Sequence, residues 1–202
     1  MALLQGNQGQ TGKQSGQNLT AGFGEYSDLL VSELQARYYE NVYRGAVFST
    51  ANSGAQALSV ASSTFTGLAV ANPAGSGKNL VLLDASFGVA AVITAACSVV
   101  LAYAPIVALT AGTAVGPNCM LVGGGVASVA KVGASAALGA APTVLRVLSG
   151  TGWVTATAQG QFSIKDEIAG AIIIAPGQLL CIEALVAAVT VAASMTWAEV
   201  PI

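Results

Sequence analysis

The clearest pattern in the chain is strict alternation near its end. From Val189 to Glu199, Val189, Val191, Ala193, Met195 and Trp197 point one way, and Thr190, Ala192, Ser194 and Thr196 point the other. A period of two over ten residues predicts a half-buried β-strand. Similar runs predict strands at 45–50, 65–71, 79–89, 98–104, 143–148, 152–158, 161–165, 168–175 and 179–186. Turn residues separate them: Asn72-Pro73, Gly75-Ser76-Gly77, Gly116-Pro117-Asn118, Ser149-Gly150 and Pro176-Gly177. Pro presets φ and Gly accepts positive φ, so Pro176-Gly177 suits the centre of a type II turn joining two antiparallel strands. Many short strands at this spacing imply an all-β sandwich or barrel from residue 45 to 202. Alanine is abundant, but it alternates with Val, Thr and Ser and is broken by Gly, so it does not predict helices. Alanine is also a poor strand former. Residues 126–141 therefore remain open between a loop, a short helix and a flat strand.

Before residue 45 the pattern changes twice. Gln5 to Asn18 carries no apolar side chain. Such a stretch cannot offset its ordering entropy by burial. Residues 1–24 are expected to form a flexible polar arm that lies extended against a neighbouring subunit. In residues 25–44, Tyr26, Leu30, Leu34 and Tyr38 recur every four positions and place one apolar stripe on a helix. Ser27 is its candidate cap, and the helix should run to about Glu40. Charges and aromatics gather there. Phe23, Tyr26, Arg37, Tyr38, Tyr39, Glu40, Tyr43 and Arg44 are the candidate interface residues, because Tyr and Arg are enriched at binding hot spots. Packing of this helix on its own domain is the competing reading.

Charge narrows the function. The net charge is −2, and only 8% of residues are charged. No basic patch is available to neutralise several phosphates, so nucleic acid is not an expected partner. Ordinary soluble surfaces are far more charged, which predicts that neighbours cover part of this one. The chain has no histidine. The commonest general base and metal ligand is thus missing. Cys97, Cys119 and Cys181 are odd in number and far apart, and read as small apolar residues in a reducing cytosol rather than a zinc site or disulfide framework. No catalytic residue, metal, cofactor or small-molecule substrate is expected. Met1-Ala2-Leu3-Leu4 is too short for a signal-peptide core, so no secretory signal is expected.

Five features tempt other readings. Residues 85–130 contain no charge, and mean hydropathy is +0.69. A hydropathy window would flag Val89 to Thr110 as a membrane span, but Pro105, Pro117 and many Ala, Gly, Ser and Thr residues argue against one. Gly75-Ser76-Gly77-Lys78 resembles the end of a phosphate loop, yet Asn72 and Asn79 stand where that loop needs Gly and Ser or Thr. Lys165-Asp166-Glu167 reads as a solvated turn, since consecutive carboxylates on a strand face opposite sides. Asp84 and Glu183 sit in apolar strands, either as half-buried carboxylates with a raised pKa or at a subunit interface. Trp153 and Trp197 are core residues or, alternatively, a sugar-binding platform.

Three segments carry a resemblance. They are Arg37-Tyr38-Tyr39-Glu40-Asn41-Val42-Tyr43-Arg44-Gly45-Ala46-Val47-Phe48, the run from Thr66 through Asn72-Pro73 and Lys78 to Leu82, and Met195-Thr196-Trp197-Ala198-Glu199-Val200-Pro201. Together they resemble the head decoration, or capsid cement, proteins of tailed bacteriophages. That resemblance implies a jelly-roll-like antiparallel sandwich with an extended N-terminal arm and a short N-terminal helix. It implies a homotrimer bound to the major capsid protein on the capsid exterior of the virion, made in the bacterial host cytoplasm. The other expectations to weigh are a trimeric head-fibre or spike-type host-recognition protein and a small membrane protein.

Overall fold

In the computed structural model, the described residues are 5–7, 18–20, 37–91, 93, 95–106, 108–138, 141–151 and 163–202. They fall into two units, 1–39 and 40–202. In the first, strands β1 (Gln5–Asn7) and β2 (Asn18–Thr20) pair antiparallel with each other. Within the arm, residues 5–7 and 18–20 form a two-stranded ribbon. The expected helix start at Ser27 and most of its stripe lie outside the described residues. A five-residue helix, α1 (Tyr39–Tyr43), follows a turn at Arg37 and Tyr38. It ends where Gly45 adopts φ +68° and bonds back to Val42 O at 2.9 Å, a left-handed helix stop.

The second unit is all β. Its strands are β3 (Val47–Asn52), β4 (Gln56–Leu58), β5 (Thr64–Asn72), β6 (Lys78–Val89), β7 (Cys97–Pro105), β8 (Ala108–Thr110), β9 (Ala114–Cys119), β10 (Lys131–Ala137), β11 (Thr143–Thr151), β12 (Ser163–Ile174), β13 (Gln178–Leu185) and β14 (Val189–Pro201). One sheet runs β12-β6-β14-β3-β9, with β4 also on β14; the other runs β11-β7-β13-β5-β10-β8. All their strand pairs are antiparallel. Without β4 and the excursion β8–β10, the orders are β3-β14-β6-β12 and β5-β13-β7-β11. That is the jelly-roll order, two Greek keys folded face to face.

The core lies between the sheets. Phe48, Leu80, Leu82, Phe87, Val191, Met195 and Trp197 face Leu68, Val70, Val99, Leu101, Leu180 and Ile182. Phe48 and Trp197 stack with ring centroids 6.4 Å apart. The alternation expected in β14 is present from Val189 to Trp197. Beyond it Ala198 is buried as well as Trp197 and Glu199, and the register with β6 shifts there, with Leu83 of β6 as the extra residue of a bulge. A second, smaller cluster sits on the far face of the other sheet: Phe65, Ala69, Ala71, Ala102, Ala104, Leu138, Leu179 and Cys181.

Several details differ from the sequence pattern. The two segments at 161–165 and 168–175 are one strand, β12, interrupted by a bulge between Glu167 and Ile172. Asp166 and Glu167 pair with Ala85 and Asp84 in the sheet, so they are strand residues and not a turn. Gly116-Pro117-Asn118 lies inside β9, opposite a register shift in β3, on the edge of the sheet. Pro is tolerated there because an edge strand leaves one row of N–H groups unused. Within the open segment 126–141, residues 131–137 form a strand with a bulge at Gly133/Ser135, and 126–130 are a loop.

Pro176-Gly177 is the expected turn, with Gly177 at φ +84° and Gln178 N bonded to Ala175 O at 3.2 Å. Its strands, however, do not pair: β12 and β13 belong to opposite sheets. The turn crosses the sandwich. Asn72 anchors it, accepting from Gly177 N at 2.7 Å and donating from Nδ2 to Ile174 O and Lys78 O, both at 2.8 Å. One buried amide thus ties two crossing turns together. Gly177→Ala should cost about 1 kcal/mol, because an L side chain is strained at this φ. Denaturant unfolding measures it, and an unchanged midpoint would refute it.

Candidate interaction surface

Among the described residues, no group of three or more His, Cys, Asp or Glu could hold a metal ion. Lys78, the lysine of the phosphate-loop look-alike, is committed elsewhere: its Nζ sits 2.7 Å from Glu199 Oε2. Ser128 Oγ and Val129 N (2.9 Å) both donate to Glu199 Oε1. Glu199 lies on the same inward side of β14 as Val189, Met195 and Trp197, and its side chain is fully buried. The cluster pins residues 128–129 against the end of β14.

Of the predicted interface residues, Phe23 and Tyr26 lie outside the described residues, as does the side chain of Glu40. The Arg37 guanidinium sits 5.3 Å from the centre of the Tyr38 ring, a cation–π distance. Tyr39, Tyr43 and Arg44 are exposed. The end of α1 leads directly into an apolar surface that sequence reasoning did not single out. A Cβ on Gly45 would lie 2.7 Å from Val126 Cγ2, so residues 120–127 run against the entry to β3. Met120 N bonds Val47 O at 2.9 Å and fixes the start of that loop. Met120, Val122 and Val126 are exposed, Val122 at 95%. Val115 on β9 continues the patch, and Val200 and Ile202 are exposed near the same end.

A second group of charged residues lies elsewhere. Arg146 on β11 holds Asp166 on β12 through Nε–Oδ2 at 2.8 Å and Nη2–Oδ1 at 3.1 Å. Lys165 reaches Asp84 on β6 at 3.9 Å. With Glu167 these charges mark the β11–β12 flank, where the other edges of both sheets lie. Asp84 is half-buried. Glu183 is more deeply placed: at 0% exposure it is fully buried on the far face of β13, and neither oxygen has a hydrogen-bond partner. It shares that face with Leu179 and Cys181 and pairs in register with Val100. Burial raises its carboxyl from 4.5 to about 7. The Cys181 thiol is also pushed up, first by burial and then by Glu183.

Cys97 and Cys181 are buried and Cys119 is half-buried; all three are free thiols. Trp197 is fully buried against Phe48, so it is a core residue and offers no sugar platform. Trp153 lies outside the described residues. Within the uncharged stretch 85–130, the described residues build the end of β6, then β7, β8 and β9. Among the described residues no helix is long and apolar enough to cross a membrane. Comparison of the chain with protein-family models, curated proteins and solved structures returns no match.

Proposed function

We propose that this chain is a structural virion protein: a capsid cement protein that binds the outside of a tailed-phage head as a homotrimer and stabilises the joints between major capsid proteins. The observation that carries this reading is the exposed, charge-free surface formed by residues 108–130. A surface solvated on all sides holds charge; one this neutral suits burial in an assembly. The jelly-roll order fits the same role, since it makes a rigid block with its edges confined to two flanks. Many weak contacts on one particle raise the effective concentration for each further contact, so a modest interface suffices when it is repeated.

The direct test is to purify particles of the encoding phage and count this chain per capsid. High copy number on the exterior supports the role, and absence from particles rejects it. The arm gives a second test. A chain lacking residues 1–24 should keep its folded β domain yet bind capsids on the order of tenfold more weakly, about 1.4 kcal/mol. Equal retention with and without those residues would contradict a gripping arm.

A further inference from the structure

The two flanks of the sandwich are chemically unlike. Both carry exposed apolar side chains: Val144, Leu145, Val147 and Ile173 on the β11–β12 side, and Val115, Met120, Val122 and Val126 on the β8–β9 side. On the first flank Asp84, Arg146, Lys165, Asp166 and Glu167 stand among them. On the second, residues 108–130 contain no charged side chain at all, and only Ala130 is buried. Lys131 marks the boundary. The first flank is thus equipped to stay in water, and the second is not.

We infer that the β8–β9 flank, with residues 120–127, is the contact surface between copies of this chain. The reading rests on the proposal that the protein works in multiple copies, and it names the surface. Electrostatics selects the occupant. A typical protein surface is about one-quarter to one-third charged, and pressing such a surface onto this flank would strip water from charges with nothing to pair them. A charge-free patch is its own complement. Around a rotation axis identical residues from successive copies meet, and here no like charges meet with them. The size is also adequate: a standard interface uses about 20–30 residues a side, and residues 108–130 fall within that range.

The edge geometry decides how the contact is made. Pro117 has no N–H to offer, and the register shift between β3 and β9 bends the edge. Both features oppose the addition of another strand. The contact is therefore made by side chains packed across an axis, not by a continuous sheet.

The test is molar mass by light scattering after size exclusion, on the full chain. Wild type should elute as one species at an integer multiple of 19.9 kDa. The double variant Met120→Asp with Val122→Asp should elute at 19.9 kDa with an unchanged circular dichroism spectrum. Ile173→Asp, on the charged flank, should keep the wild-type mass. A monomeric wild type, or a double variant of unchanged mass, overturns the inference. Particle binding separates this from the functional reading. If the double variant keeps its mass but no longer binds capsids, the flank faces the shell and the inference fails while the cement role stands. If it dissociates while purified particles lack the chain, the surface is correctly assigned and the cement role fails.

Discussion

Replacing Glu183 with Gln should make the protein more stable at pH 8 by about 3 kcal/mol and leave it nearly unchanged at pH 4. The residue sits where an ionised carboxylate has no partner: its side chain is buried, both oxygens are unbonded, and the face around it is Leu179, Cys181 and Val100. Burial lifts its pKa from 4.5 to about 7. The folded state therefore binds a proton that the unfolded state has released between those values. Stability from this group is fully present below pH 4.5 and is lost as pH rises through about 7. At about 1.4 kcal/mol per pH unit, the full span corresponds to roughly 3 kcal/mol. Gln keeps the shape of the protonated side chain and never ionises. Denaturant midpoints for both proteins from pH 4 to 8 should converge at the acid end and diverge at the alkaline end. Parallel curves would mean that Glu183 finds a charge partner in solution. Cys181 is a titratable neighbour on the same face, and its raised pKa keeps it a neutral thiol.

Replacing Glu199 with Ala should have the opposite sign, a loss of about 3 kcal/mol. This carboxylate is also buried, but it is fully used: Lys78, Ser128 and Val129 all donate to it. Removing one member of a buried pair costs about 3–5 kcal/mol, because its partners stay behind unpaired. Lys78 is one-third exposed and can turn toward water, which places the expected loss at the low end. For a chain of this size that is a fall in melting temperature of about 6–12 °C. Glu199→Gln should lose less, since its amide oxygen still accepts from Val129 N. Thermal unfolding of the two variants beside wild type gives the answer, and equal losses would show that the charge contributes everything and the hydrogen bonds nothing. The loop that Glu199 pins belongs to the proposed contact flank, so Glu199→Ala should also weaken self-association.

The two glutamates show how far the sequence could be read. That Glu183 lies in an apolar strand was visible, and so was its choice between a raised pKa and an interface. Its depth was not, because depth depends on β13 being central in its sheet, with β7 and β5 on either side. Glu199 was legible only as the end of an alternating strand. Its period placed it on the inward face, but its partners, Lys78 and residues 128–129, come from distant segments that a local pattern does not reveal, and neither does it reveal a bulge. The same limit applies to β12, where a bulge at Glu167 to Ile172 looked like a turn. Most strands were plain from alternation and punctuation. Those missed, β1, β2, β4, β8 and β9, are short or, in β9, interrupted by Gly116-Pro117, and β10 was left open. The type II turn at Pro176-Gly177 was local and was read correctly. Which strands it joins is a matter of topology, which local chemistry does not encode. The predicted aromatic–charged segment was found from composition. The neutral flank was visible only as missing charge until folding placed residues 108–130 on one edge.

The position of β14 bears on how the chain reaches this fold during synthesis. It pairs with β3, β4 and β6, and every one of these precedes it in the sequence. The inward side chains of β3 and β6, among them Phe48, Leu82 and Phe87, leave the ribosome well before Trp197 arrives to cover them. The first sheet cannot close as it emerges. It waits for a strand roughly 150 residues downstream of its first partner, and pairings at such separations form slowly. Through that interval the nascent chain displays open strand edges with few charges to keep other copies away, which is the state most exposed to aggregation. High yield of this protein should therefore depend more on the interval before the last strand is added than on the stability of the finished sandwich.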